Sequence, residues 1–458
     1  MALEEKMAEE NPSTEKKSNK WKYIISVIVV IIMTAVSLTL SLVGGGAEAV
    51  IGALRSAKQS WVWVMIAMVF VSYCIDGLII LIFARLYTRH YKFHQGLANA
   101  MIGAFYSDVT PGASGGQVMQ VFTLKKQGIE VSNGASIMVM WFILYQVSLI
   151  LFDLIAFIFE GKTILQIKTV KLPIFGDWAP EVTLMPLIII GFAINLSVLA
   201  LLFLMSYSHR FHNFIMHYVI GFLAKIKIVK NPDKMRENLR VQVENFKIEL
   251  RRLQTNIPVT VLIVALFLFN LLLRYSIPYV AGIALDAYGT DYQFNIRFFF
   301  EGAFRSAFHQ MMTGIIPLPG AAGVSELFFT VMFGNGYYKA NSVLDLSAIL
   351  AAAQILWRFT TFYLVLIIGA LVALLYRSRP KENYVYANRQ TFVNLQLETF
   401  DERKRAVDTL YETKQLSKKA IADRLKNTTI MDDNKRDLPR KTQNDEAKKK
   451  RDDMEVGD

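Results

Sequence analysis

Apolar runs long enough to cross a bilayer recur along this chain almost without charge. A bilayer core about 30 Å thick takes roughly 20 helical residues to cross, and lipid offers an open backbone amide no hydrogen-bond partner. The chain is therefore expected to be an all-α integral membrane protein. With 53% apolar residues and a mean hydropathy of +0.33 over 458 residues, it is too hydrophobic for an ordinary soluble domain and too long for a single anchor. Full spans are expected near 21–43, 60–87, 131–159, 182–207, 257–283 and 345–376. The first, Tyr23 to Val43, has no small-residue cleavage site behind it and reads as a retained helix, not a signal peptide.

Two further apolar stretches, 93–127 and 292–334, are interrupted by proline and several glycines, which cannot continue a helix. Irregular backbone survives at membrane depth only when buried in protein or facing a water-filled cavity. Each stretch is therefore expected as a re-entrant helical hairpin, giving about six transmembrane helices plus two hairpins. The net charge of +12 gathers beside the spans and in the tail, which speaks for orientation toward anionic cytoplasmic lipid and against nucleic acid. Segment 208–256, with Arg210, Lys225, Lys227, Lys230, Lys234, Arg236, Arg240, Lys247, Arg251 and Arg252, belongs in the cytoplasm by the positive-inside rule. Counting spans outward makes both termini cytoplasmic. The first hairpin then enters from inside, flanked by Arg85, Arg89, Lys92, Lys125 and Lys126, and the second from outside, beside Asp286 and Asp291. Residues 1–20 form a cytoplasmic segment, 21–378 the membrane domain and 379–458 a charged cytoplasmic tail, part helix (398–426) and part disordered, too short for a typical catalytic domain. The single cysteine, Cys74, excludes an intrachain disulfide and a cysteine-based metal cluster, and no cofactor is expected.

The two broken stretches are related. Pro111-Gly112-Ala113-Ser114-Gly115 aligns with Pro319-Gly320-Ala321-Ala322-Gly323, and the span count makes the copies insert from opposite faces. Inverted repeats with paired broken helices near the midplane recur in secondary transporters, so a central site reachable from either side is expected. Thr110-Pro111-Gly112-Ala113-Ser114-Gly115-Gly116-Gln117, then Pro317 to Glu326, then Arg358 in the last span, resemble the hallmarks of the lysylphosphatidylglycerol synthase transmembrane family over about residues 20–378. The resemblance implies a flippase-type domain of a bacterial plasma membrane that moves an anionic or aminoacylated phospholipid such as phosphatidylglycerol, with a link to cationic antimicrobial peptide resistance. In full-length members such a domain precedes one that aminoacylates phosphatidylglycerol from aminoacyl-tRNA, and no such domain is expected here. That puts lysyltransferase activity in doubt and leaves translocation, or a role beside a separate lipid synthase, open; a homodimer is a further possible assembly.

The loop glycines let backbone approach a ligand closely, and the helices restarting after them present free amides and a positive dipole end, which suit a phosphate. Gly112, Ser114, Gly115, Gly116 and Gln117 on one side, with Gly320, Gly323, Val324, Ser325 and Glu326 on the other, are candidates for holding a lipid headgroup. The alternative is that these glycines only let two hairpins pack tip to tip. Ionisable groups within spans are costly and default to functional hypotheses; Asp76, Asp153, Arg274 and Arg358 qualify. Asp153 and Arg274 are expected near the outer ends of their spans, snorkelling to the interface. Arg297, Glu301, Arg305 and His309 stand four apart, either as a polar stripe facing a cavity or as a self-neutralising ladder. Glu326 is expected to pair with Arg358 or to complement the helix N-terminus it occupies. Gly161-Lys162-Thr163 ends like a phosphate-binding loop, but Ala156 stands at the first glycine position, so no nucleotide site is expected. A competing class is an intramembrane serine protease using Ser114 and His309, since Gly112 to Gly116 matches Gly-x-Ser-x-Gly; against it, Ala322 stands where the repeat should place a serine. Transport of another solute is the remaining alternative.

Overall fold

The computed structural model describes residues 32, 35, 39, 46–166, 170–171, 181–225, 232–289, 294–314, 321, 323–339 and 343–377. Apart from a two-residue antiparallel ladder pairing Val170 with Val182, its regular structure is helical. Five helical segments among these residues are long and apolar enough to cross a bilayer: Gln59–Ala84, Val131–Gln166, Leu184–Leu201, Ile257–Ala284 and Asp345–Leu375. They coincide with five of the six expected spans, while the expected span 21–43 lies almost wholly outside the described residues. Their outward faces are apolar as well. Trp63 is 69% exposed, Ile158 77% and Leu374 76%, the arrangement of helices that meet lipid on one side and protein on the other.

In chain order, α1 (Ala47–Ser56) precedes the span α2 (Gln59–Ala84). Next come α3 (Phe93–Asp108), a 3₁₀ turn at Pro111–Ala113 and α4 (Ser114–Lys126), which pack on each other as a first hairpin. Spans α5 (Val131–Gln166) and α6 (Leu184–Tyr207) follow. Short helices α7 (His209–Asn213) and α8 (Ile220–Lys225) flank a π-helical turn and lead into α9 (Pro232–Thr255). The span α10 (Ile257–Tyr275) bends at Ser276 into α11 (Ile277–Ala284), where Pro278 withholds an amide from the preceding turn. A second packed hairpin consists of α12 (Ile296–Thr313) and α13 (Val324–Gly334). The last span is α14 (Val343–Arg358), a π-helical turn at Phe359–Tyr363 and α15 (Leu364–Leu375).

The first hairpin lies tightly against α2, because a Cβ on Gly96 would stand 2.2 Å from the Gly77 carbonyl oxygen. On the basic segment, α9 buries Val243, Phe246, Leu250 and Leu253 and leaves Asp233, Glu237 and Arg240 exposed, as an amphipathic helix docked on the bundle must. One carboxylate goes in with the apolar face. Glu249 is 3% exposed and bonded to Arg252 at 3.2 Å, and Arg252 also donates to the Tyr87 hydroxyl beyond the end of α2. At the opposite end of α2, Asp286 has a basic neighbour invisible in sequence, as Lys58 reaches it at 2.5 Å from 228 residues away. Asp291 lies outside the described residues.

Candidate functional site

The tip of the first hairpin is a left-handed turn. Gly112 (φ 60°) and Ala113 (φ 55°) reverse the chain, and a Cβ on Gly112 would meet nothing within 4 Å. Thr110 ties the turn, its hydroxyl accepting from Gly115 N–H at 2.9 Å and donating to the Tyr106 carbonyl at 2.7 Å. Gly112, Ser114 and Gln117 are exposed at this tip. Gly115 and Gly116 have another role: a Cβ on Gly116 would lie 1.9 Å from Ser107 Oγ, and one on Gly115 2.7 Å from Thr110 Cγ2. Their lack of a side chain lets α4 close against α3, as the packing alternative expects, while Gly112 alone of the three glycines faces open space.

The second tip matches the first at one described residue and differs at the other, since Gly323 aligns with the helical, closely packed Gly115. Ala321, aligned with Ala113, also has positive φ (48°), and Gly323 (φ 86°) has nothing within 4 Å of a Cβ position. Gly320 lies outside the described residues. α13 then restarts with Glu326 in its first turn, and this carboxylate does both things expected of it. Oε2 accepts from Gly323 N–H, and Oε1 accepts from Arg358 Nε at 2.7 Å. Both partners are buried, Glu326 at 4% and Arg358 at 7% exposure. The guanidinium stacks over Trp357 at 4.9 Å, and its Nη2 is buried with no hydrogen-bond partner among the described residues. A buried charged donor without an acceptor is expensive, and it singles out this group among those at the second tip. The helix changes to a π-helical turn directly after Arg358, a distortion that recurs at functional positions. Thr360 and Thr361 hydroxyls return bonds to the Leu356 and Trp357 carbonyls there.

A second ion pair lies close by. Asp76 accepts from Arg274 Nη2 at 2.5 Å and from Asn270 Nδ2 at 2.7 Å, while Ser72 links Arg274 to Asn270. Arg274 stacks on Tyr73 at 4.8 Å. It thus pairs with Asp76 while its side chain, one residue from the end of α10, stays 38% exposed, consistent with the interfacial position expected of it. Asp153 departs from the same expectation: it is 1% exposed, with neither carboxylate oxygen bonded among the described residues. Asp108, in the last turn before the first tip, lies within electrostatic reach of both Arg274 and Arg358. Sequence reasoning missed Asp108 and Asn270. The cost of a polar side chain inside an apolar segment, which singled out Asp76, applies equally to both.

Other candidates are turned inward. Arg305 donates from Nε and Nη2 to Glu301 (3.1 and 2.9 Å) and from Nη1 to the Met332 carbonyl at 2.7 Å. Nε and Nη2 are thus neutralised by Glu301 on the same helix, the self-neutralising arrangement, and Nη1 ties α12 to the end of α13. His309 Nε2 meets the Ser325 carbonyl at 2.9 Å and its hydroxyl at 3.2 Å, both residues being buried. The histidine thus bonds within its own hairpin and not to Ser114. Among the described residues no group of three histidine, cysteine or acidic side chains is placed to hold a metal ion.

A family model described as the lysylphosphatidylglycerol synthase TM region matches residues 23–369, taking in both hairpins, Asp76, Asp108, Arg274, Glu326 and Arg358. No curated protein matches the chain. With the family model covering most of the 458 residues and five apolar helices able to cross a bilayer, this is a multi-pass membrane protein that belongs to the lysylphosphatidylglycerol synthase transmembrane family.

Proposed function

We propose that the chain is a phospholipid translocase, a flippase that passes a lipid headgroup between leaflets of a bacterial plasma membrane through the site between the two hairpin tips. The observation that carries this reading is the buried Nη2 of Arg358, without a partner among the described residues, on a guanidinium that Glu326 links to the open Gly323 amide and that lies within electrostatic reach of Asp108 before the first tip. A phosphate entering the site accepts from Arg358 Nη2 and from backbone amides at the tips, while its acyl chains stay in lipid. Glu326 holds the guanidinium in place through Nε. The neighbourhood has two arginines, Arg274 and Arg358, and three carboxylates, Asp76, Glu326 and Asp108. Asp108 is the one of the three carboxylates not bonded to an arginine among the described residues, and an amino group brought beside it favours its charged form, so an aminoacylated or amine-bearing headgroup suits the site better than plain phosphatidylglycerol. Glu301, Arg305 and His309 act by holding the second hairpin together. Lipids retained by the purified protein and identified by native mass spectrometry test the site. Wild type should retain phospholipid that Arg358→Ala loses, and equal retention would remove Arg358 from headgroup binding.

A further inference from the structure

The translocase reading leaves the driving force open, and the most unusual ionisable group in the described residues lies outside the headgroup site. Asp153 sits within the span α5, 1% exposed, and neither of its oxygens has a hydrogen-bond partner among the described residues. Structural carboxylates buried in this way are ordinarily paired with a cation or bonded to donors. Among the described residues no basic side chain acts on Asp153, and the titratable groups facing it are the phenols of Tyr145 on its own helix and Tyr275 at the end of α10.

These groups continue in both directions. Tyr145 is in electrostatic reach of Asp153 and of the Asp76–Arg274 pair, so it stands between Asp153 and the headgroup site. Seven residues after Asp153, hence two turns along the same face of α5, Glu160 keeps one oxygen buried without a partner. Glu160 faces Arg297, Glu301 and Arg305 of α12 and Thr163 of its own helix. From Leu184 to Tyr207, α6 brings no charged residue to α5. α9 places Glu249 beside Ser136 near the start of α5, roughly 25 Å from Asp153 at 1.5 Å per residue, and Lys125 and Lys126 of α4 lie toward that same end. Asp153 is therefore the middle member of a line of ionisable groups running from the α12 face to the headgroup site. Such lines inside membrane proteins serve as proton relays.

We propose that Asp153 binds and releases a proton during each transport cycle and so couples lipid movement to the transmembrane proton gradient. The charged carboxylate and the neutral acid differ greatly in their cost at this position, so the bundle favours different arrangements in the two states. Proton exchange runs along Tyr145 and Tyr275 on one side and Glu160 on the other. This rests on the translocase reading.

The test uses the full chain in phosphatidylcholine vesicles with acyl-labelled phosphatidylglycerol and acyl-labelled phosphatidylethanolamine as separate probes, at equal pH and across a gradient of one unit. For one proton per lipid, the leaflet ratio of a transported probe should depart from its equal-pH value by up to about tenfold, returning when a protonophore is added. Asp153→Asn, a near-isosteric neutral side chain, should leave the ratio indifferent to the gradient, and Asp153→Glu should restore the response. Wild-type protein that equilibrates a probe but ignores the gradient would overturn the coupling and leave the translocase standing. A gradient response unchanged in Asp153→Asn would overturn the assignment to this residue. Wild-type protein that moves neither probe would overturn both readings. Because the first comparison needs no variant, a misfolded substitution does not protect the proposal.

Discussion

Among the described residues Arg358 has one nitrogen on Glu326 and another with no partner, and this asymmetry separates the proposed headgroup binding from folding at a single residue. Removing either partner of a buried ion pair strands the other charge, at a typical cost of 3–5 kcal/mol. Glu326→Ala and Arg358→Ala should therefore each lower thermal stability in detergent, and the double variant should be less destabilised than the sum. A double-mutant cycle measures this, and additivity within about 0.5 kcal/mol would contradict the pairing. This contact was legible in the sequence because Glu326 closes a motif and Arg358 interrupts a long apolar run. The Asp76–Arg274 pair was not, since its members stand 198 residues apart and nothing local says that α2 and α10 share a face. His309 misled for the same reason: its spacing on α12 was readable, but its partner was set by how α13 folds back. Asp108 offers the sharper functional test. Asp108→Asn removes this carboxylate and should shift lipid preference away from amine-bearing headgroups, read as a changed ratio of phosphatidylethanolamine to phosphatidylglycerol transport; an unchanged ratio would remove Asp108 from selectivity.

At the scale of elements, the hairpins were legible as proline and glycine interruptions in otherwise apolar segments. The division of labour among the glycines was not. Gly112 and Gly323 hold positive φ in open space, whereas Gly116 is pressed against Ser107. Gly116→Val should thus break the packing of α3 on α4 and cost several kcal/mol, as overpacking without room to relax does. Gly112→Ala carries only the strain of a left-handed residue, about 1–2 kcal/mol, and the neighbouring Ala113 already bears that conformation. Thermal melts of the two variants decide the matter, and equal losses would contradict it. On α9, burial pushes the Glu249 carboxyl above its usual range, more than Arg252 and Ser136 pull it back. A raised folded-state value means the group favours the folded state fully below the unfolded carboxylate range and loses that contribution as pH rises. Glu249→Gln should therefore stabilise the protein relative to wild type at neutral pH, with the difference fading as pH falls through the carboxylate range. A stabilisation that grows on acidification would contradict this sign.

For the whole molecule, five spans read from the sequence reappear as helices, because transmembrane length and apolarity are properties of one segment at a time. Relations between segments are harder to read, yet the repeat left a trace. Ala113 and Ala321, aligned by sequence alone, are two of the three non-glycine residues with positive φ among those described. Their equivalence makes the orientation of the hairpins testable. In a Cys74→Ala background, Ala113→Cys and Ala321→Cys should be reached by a membrane-impermeant maleimide from opposite faces, and labelling of both from one face would contradict the inverted arrangement. Phospholipid movement through the site at Arg358, as proposed, is open to direct assay. Its most direct measurement is dithionite bleaching of acyl-labelled phosphatidylglycerol and phosphatidylethanolamine in proteoliposomes containing monodisperse wild type, Arg358→Ala or Leu364→Ala. Wild type and Leu364→Ala should expose the inner-leaflet pool of at least one probe to bleaching, and Arg358→Ala should slow that exposure by tenfold or more. Protection of both probes in wild-type vesicles at the level of protein-free vesicles, or unimpaired movement in Arg358→Ala, would contradict it.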